Sequence, residues 1–164
     1  MISGALLSDC GRFRYKLWRI FDETLPLLVF VMLNPSVADA SVNDPTVLKC
    51  MGFAHRLGFG GIVVVNMFAY RATKPSDLKK AGWPTGGEMN TLTISDAAKA
   101  AKVWGGEVVC AWGVNARGRP EAAEMLALLR GCGVVPKALR LTPDGVPWHP
   151  LMLPYSCQLQ DVPA

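Results

Sequence analysis

Two apolar runs that each stop at an asparagine constrain this chain more than any other feature. Leu27–Leu33 is apolar at every position and ends at once in Asn34-Pro35-Ser36, and Ile62–Val65 is β-branched throughout and ends at Asn66. Neither run alternates, so each reads as a strand buried on both faces, as in a parallel sheet covered by helices. Between them lies a helix with legible ends. Asp44 followed by Pro45 is a capping carboxylate with proline at the first helical position. Val47, Cys50, Met51, Ala54 and Leu57 keep helical spacing, and Gly58 supplies the stop. Strand, helix and strand in that order imply a right-handed parallel crossover.

The flanking sequence extends this unit. Arg12–Phe21 alternates basic and apolar residues like a strand with one wet face, and Asp22-Glu23-Thr24 is turn material. Together with Leu27–Leu33 they predict a hairpin whose second strand enters the sheet. Downstream, Ser76 caps a short helix, Gly82–Gly87 is irregular and Glu88–Lys102 is helical. Glu107–Ala111 is a third strand closed by Trp112-Gly113. Pro120–Arg130 is an amphipathic helix, Val134–Leu141 a fourth strand and Pro143-Asp144-Gly145 a turn. The fold class expected is α/β: a three-layer αβα domain whose central, mostly parallel sheet has about four strands, with an N-terminal β-hairpin added. No repeat or low-complexity linker interrupts it. Residues 1–164 are therefore expected to form one domain, with 1–26 as the N-terminal strand or hairpin extension and 154–164 as an irregular tail.

Composition narrows the function classes. A chain of 164 residues, 51% of them hydrophobic, can bury a core without disulfides. Its five cysteines are odd in number, widely spaced and free of C-x-x-C, so they read as small hydrophobes in a reducing compartment. The net charge of +4 permits nucleic acid or phosphate ligands without requiring them. No apolar run reaches the ~18–20 residues that span a bilayer, and the N-terminus lacks a basic region followed by a hydrophobic stretch. A cytoplasmic protein without membrane contact is expected. No His, Cys or carboxylate pair has metal-ligand spacing, and Gly58-Phe59-Gly60-Gly61 precedes a strand instead of following one, so neither a metal nor a cofactor is expected.

Ligands of open parallel sheets sit outside the carboxyl ends of the strands. Here those ends carry Asn34-Pro35-Ser36, then Asn66 with Phe68 and Tyr70, then Trp112-Gly113-Val114-Asn115, and His149-Pro150 follows the last strand after a turn. This ordered set resembles the uracil-DNA glycosylase superfamily from about Val29 to Leu153. Val29-Phe30-Val31-Met32-Leu33-Asn34-Pro35-Ser36 is similar to the Asn-Pro form of that family's first motif, found in its mismatch-specific branch. Val63-Val64-Val65-Asn66-Met67-Phe68 is similar to the strand whose terminal Asn reads the base edge. Val108–Gly113 resembles the strand ending in Trp-Gly, and His149-Pro150 the last motif. Leu-Asn-Pro-Ser, Asn-Asp-Pro-Thr, Asn-x-Phe-Ala-Tyr-Arg and Trp-Gly…His-Pro together also resemble a bacterial and phage family known as domain of unknown function 1643 (DUF1643).

The glycosylase resemblance implies a protein acting on a nucleobase or N-glycosidic bond, in DNA or in a nucleoside or nucleotide, with a base pocket at the strand ends. Asn34 then positions an attacking water, Asn66 pairs with the base edge, and His149 donates to the developing oxyanion. Phe53, Phe68 or Tyr70 stacks on the base, with Ser36 and Trp112 beside it. Arg71, with Lys74, meets phosphate, and Leu151 and Met152 form an apolar wedge for DNA. Two departures stand out. Asn34 has no basicity, which leaves Asp39 or Asp44 to supply a carboxylate, and Asp44 reads equally well as the helix cap. The Ser that follows His-Pro in the repair enzymes is absent. A non-catalytic nucleotide or nucleobase binder is the alternative. A third reading is a protein-partner module using Trp18, Trp83, Trp104, Trp112 and Trp148. The Arg12-Arg14-Lys16-Arg19 face is a candidate phosphate track.

Overall fold

The computed structural model describes all of residues 1–164. A single mixed sheet runs through it in the order β1-β2-β4-β3-β5-β6-β7. Its strands are β1 (Ile2–Leu7), β2 (Arg14–Ile20), β3 (Leu28–Met32), β4 (Gly61–Asn66), β5 (Glu107–Cys110), β6 (Lys137–Ala138) and β7 (Gln160–Asp161). Four helices connect them: α1 (Pro45–Arg56), α2 (Pro75–Lys80), α3 (Gly87–Trp104) and α4 (Pro120–Gly131). β4, β3, β5 and β6 run parallel, while β1, β2 and β7 are antiparallel to their neighbours. No helix is long and apolar enough to cross a membrane.

β3 is buried at every residue because both of its faces are covered. Val29 and Val31, with Val65, Val108 and Cys110, pack on one side against Ile94 and Ala98 of α3 and Met125 and Leu129 of α4. Leu28, Phe30 and Met32, with Ile62, Val64 and Val109, pack on the other against Val47, Cys50, Phe53 and Ala54 of α1. Burying each Leu- or Phe-sized side chain stabilises by about 1.5–3 kcal/mol, so these two layers fix the position of every strand end. α1 begins as its sequence dictates. Asp44 Oδ1 accepts from Val47 N at 2.8 Å, and proline opens the first turn.

Three expectations need correction. The N-terminal hairpin is β1–β2, and β2 pairs with β4 instead of β3. β3 has no free edge, since β4 and β5 flank it on both sides. The fourth strand is far shorter than Val134–Leu141. Val134 N still bonds the end of α4, Pro136 has no N–H to give, and Arg140 O accepts from Trp148 N, away from β5. The tail beyond Pro154 is also not wholly irregular, because β7 pairs with β6.

The basic face of β2 is not wet. Arg14 and Arg19 are buried, Lys16 is half-buried and only Arg12 is exposed, so the four basic residues do not form a surface phosphate track. The free cysteines Cys50, Cys110 and Cys157 are buried, Cys132 is half-buried and Cys10 is exposed.

Candidate functional site

The chain leaves β3 toward β4 on one side, and leaves β5 toward β6 on the other. That reversal opens a crevice above the carboxyl ends of β3 and β5. A cleft of about 470 Å³ lies there, and Asn34, Asp44, Asn66, Trp112 and His149 all line it, together with Arg14. A larger groove of about 590 Å³ sits at the opposite edge, between Leu25, Leu27, Ala97 and Trp104. Its polar lining is Lys16, Glu23, Thr24 and Asp96, at the amino ends of the parallel strands and away from the carboxyl ends where ligands of such sheets sit, so we assign the site to the smaller cleft.

Each polar residue of the cleft has a defined orientation. Asn34 Nδ2 donates to Ala72 O at 2.8 Å and to Pro35 O at 3.0 Å, which stitches the loop after β3 to the loop after β4. Its Oδ1 makes no hydrogen bond within the chain. Asn66 is buried at the end of β4, where Asn90 Nδ2 on α3 donates to its carbonyl at 2.9 Å. Arg14 Nη2 donates to Asn66 Oδ1 at 3.4 Å, a long bond that nonetheless sets the amide's sense: oxygen toward Arg14, Nδ2 without a partner in the chain.

His149 is equally determined. Leu151 N donates to its Nδ1 at 3.1 Å, capping the short 3-10 turn Pro150–Met152. Nδ1 is thus the acceptor, and in the neutral ring the proton resides on Nε2 as a donor. Burial lowers the pKa of His149 below its ordinary 6.5, with the Asp44 charge opposing, so the ring is neutral at neutral pH. Gly113 makes this possible. Its φ of +79° and ψ of 179° suit glycine alone, and a Cβ there would lie 3.2 Å from His149 Cβ.

Asp44 is the one carboxylate lining the cleft. Oδ1 caps α1, and Oδ2 makes no hydrogen bond within the chain. Asp39 is unsuited to that role. Its Oδ1 accepts from Ser41 N and Val42 N, which holds its carboxyl below the usual range and closes an exposed turn. Cys50 also lines the cleft, but burial pushes its thiol well above the ordinary range, so it stays protonated and unreactive.

The loop from Asn34 to Asp44 hangs on three guanidinium groups. Arg71 donates to Ser36 O, Val37 O and Gly11 O; Arg14 to Ala38 O; and Arg19 to Asp39 O, Val42 O and Asn43 Oδ1. These bonds make Arg71 a loop clamp at the cleft's edge, beside a shallower hollow of about 310 Å³ that Arg12 shares. Ser36 lines both spaces. No three His, Cys, Asp or Glu side chains are grouped so as to hold a metal ion.

The expected stacking residues fall outside the cleft. Phe68 is fully buried in the α3 layer against Trp83, where Arg119 lies 4.1 Å above the indole. The chain turns inward after Asn66, which carries Phe68 to the far face. Phe53 is buried under α1 against Tyr155. Tyr70 packs edge-on to Phe13. Trp112 borders the cleft, but its side chain belongs to the core. Of the other tryptophans only Trp104 stands well out of the surface, so they form no common patch. Leu151 lines the cleft, and Met152 beside it is 84% exposed.

Sequence reasoning passed over Asn90 and placed Arg14 only in a surface phosphate track, not in the cleft. Arg14 reaches the cleft because β2 runs antiparallel to β4, which brings the amino end of β2 to the carboxyl end of β4, where Arg14 N donates to Ala69 O. Asn90 carried a usable signal: an amide on the apolar stripe of a helix, where it has to find backbone partners.

An α/β protein with a polar cleft at the switch point of a mixed sheet is the class that fold and site define. The chain belongs to the family described as "Protein of unknown function (DUF1643)", which matches residues 14–151. No curated protein and no solved structure matches it.

Proposed function

We propose that this is a uracil-DNA-glycosylase-like protein that acts on a nucleobase or an N-glycosidic bond, in DNA or in a nucleoside or nucleotide. The observation that carries the reading is the joint presence of Asn66 and His149 as neutral donors and Asp44 as a free carboxylate oxygen in one cleft. A base edge accepts from Asn66 Nδ2, and His149 Nε2–H donates to an exocyclic oxygen as negative charge gathers on it. Asp44 Oδ2 takes a proton from water held with Asn34 Oδ1. Water oxygen then bonds to the sugar carbon as the carbon–nitrogen bond breaks, and its electron pair leaves with the base.

The exposed Leu151 and Met152 at the rim suit an apolar wedge against a flipped nucleotide's former neighbours. The reading carries with it the three-layer αβα arrangement of that superfamily. The parallel β4-β3-β5-β6 block and the helices on both sheet faces support it.

A second reading has one observation in its favour. Asn34 is uncharged and its amide donors are committed to Ala72 and Pro35, so the cleft holds a single carboxylate, half engaged as a helix cap. A non-catalytic nucleotide or nucleobase binder needs no more. Single-turnover release of bases from modified DNA and from nucleosides, run beside equilibrium binding of the same bases, tests both. Base release that Asp44→Asn abolishes supports the enzyme, and binding without release supports the binder. Neither release nor binding rejects both.

A further inference from the structure

Arg14 is the least explained group in the molecule. It is 3% exposed, yet no carboxylate lies within ion-pair distance of it. Burial pushes its guanidinium down to about 10, and Asp44 is the main charge that holds it up. Two of its five N–H groups are used, one on Ala38 O at 3.0 Å and one on Asn66 Oδ1 at 3.4 Å. Nε is buried without a partner.

A structural duty does not account for it. The loop that Arg14 touches through Ala38 is already held by Arg71 and Arg19 at Ser36, Val37, Asp39 and Val42. An unpaired buried cation is costly, and an apolar residue of similar size would serve packing as well or better. Arg14 nevertheless lines the cleft, bonded to Asn66 Oδ1, and shares it with the free Nδ2 of Asn66 and the imidazole of His149. Three donor-bearing side chains thus line one space, and Asp44, the one carboxylate that shares it, is already engaged through Oδ1 as the cap of α1.

We propose that Arg14 makes the cleft selective for a planar, acceptor-rich ligand edge bearing negative charge, and so sets which ring the site prefers. This deepens the base-pocket reading and rests on it for the word ring. Arg14 supplies the positive charge that such an edge would pair with, and it holds Asn66 Oδ1 so that Nδ2 stays free for the ligand. A neutral ring with a donor edge leaves those donors unpaired and is rejected.

The test compares uracil with 5-nitrouracil, whose ring is largely anionic at neutral pH, and adds acetate and nitrate as planar anions with no base character. Binding is read from the Arg14 Nε–H and Asn66 Nδ2 resonances. For the wild-type chain the anionic ring is expected to bind about tenfold tighter than the neutral one. Arg14→Gln should erase that preference and the response to acetate and nitrate. Arg14→Lys should keep part of the charge preference while losing the planar fork. Arg14→Met serves as the folding control, and its melting temperature should equal or exceed that of the wild type. Anion binding that vanishes in Arg14→Gln while no ring binds keeps the Arg14 assignment and removes the base pocket. Rings that bind regardless of charge, with affinities unchanged in Arg14→Gln, overturn the Arg14 assignment and leave the base pocket standing. A collapse in stability in Arg14→Met with no change in ligand preference also overturns it.

Discussion

Gly113 and His149 are packed so closely that a methyl group on the first would press on the second. A Cβ at Gly113 falls 3.2 Å from His149 Cβ, and the backbone there has a φ of +79°. The Trp-Gly step at the end of β5 thus sets where the imidazole stands. Gly113→Ala should cost about 1–3 kcal/mol in stability from backbone strain. Ligand binding should fall further than stability does, because the ring is displaced from Asn66. Thermal melts and a binding titration on the same variant check this, and binding that survives intact would separate His149 from the ligand.

Asp44 serves two ends of one side chain, and substitutions split them. Asp44→Asn retains a cap, whereas Asp44→Ala loses it and should cost about 1 kcal/mol more. Both remove the negative charge felt by Arg14 and His149. Base release should disappear in both variants if Asp44 accepts the proton. Release that persists in Asp44→Asn returns this residue to helix capping alone.

His149 gives the protein a pH dependence with a definite sign. Its pKa in the folded chain lies below the ordinary 6.5, because burial disfavours the charged ring. The unfolded chain therefore binds more protons in that range, and stability is lost as pH falls from 6.5 toward the lower folded value. Protonation also converts Nδ1 from acceptor to donor and breaks the cap on Leu151 N. Melting curves of wild type and His149→Gln should converge toward neutral pH relative to each other's acid limbs, with the wild type losing more on acidification. Equal acid sensitivity would contradict a neutral, half-buried His149.

Asn66→Asp should be tolerated by the fold, because Arg14 stands 3.4 Å from Oδ1 and gives the new carboxylate a partner. The variant exchanges a donor for an acceptor at the ligand edge. The order of preference among bases should therefore change. Circular dichroism checks the fold, and competition among bases checks the order. An unchanged order places Asn66 outside the ligand contact.

Much of this arrangement was legible before the fold. Leu27–Leu33 and Ile62–Val65 announced covered parallel strands through their lack of alternation. Asp44-Pro45 marked the start of α1, and the asparagines at both strand ends converge on the cleft as their positions implied. Partners that depend on long-range pairing were not legible. Local alternation in Arg12–Phe21 looked like a solvated face, but Arg14 and Arg19 are drawn inward by loop carbonyls that are far away in sequence. Its place two residues after Asn66 predicts that Phe68 stacks on a ligand. A strand that ends by turning inward buries what comes next, and no local pattern reports which way it turns. Only Lys137–Ala138 of the apolar run Val134–Leu141 forms β6, for a related reason: apolar composition cannot tell a strand from a chain that pairs with its own downstream turn.

The central claim is that the cleft holds a nucleobase against Asn66 and His149. The most direct test follows the Asn66 side-chain amide and the Gly113 backbone amide by nuclear magnetic resonance during titration with a panel of nucleobases and their nucleotides. The account predicts saturable shifts of both signals at low millimolar ligand or below, with the Gly113 shift lost in Asn66→Ala. Failure of every base and nucleotide to move either signal in that range would contradict it.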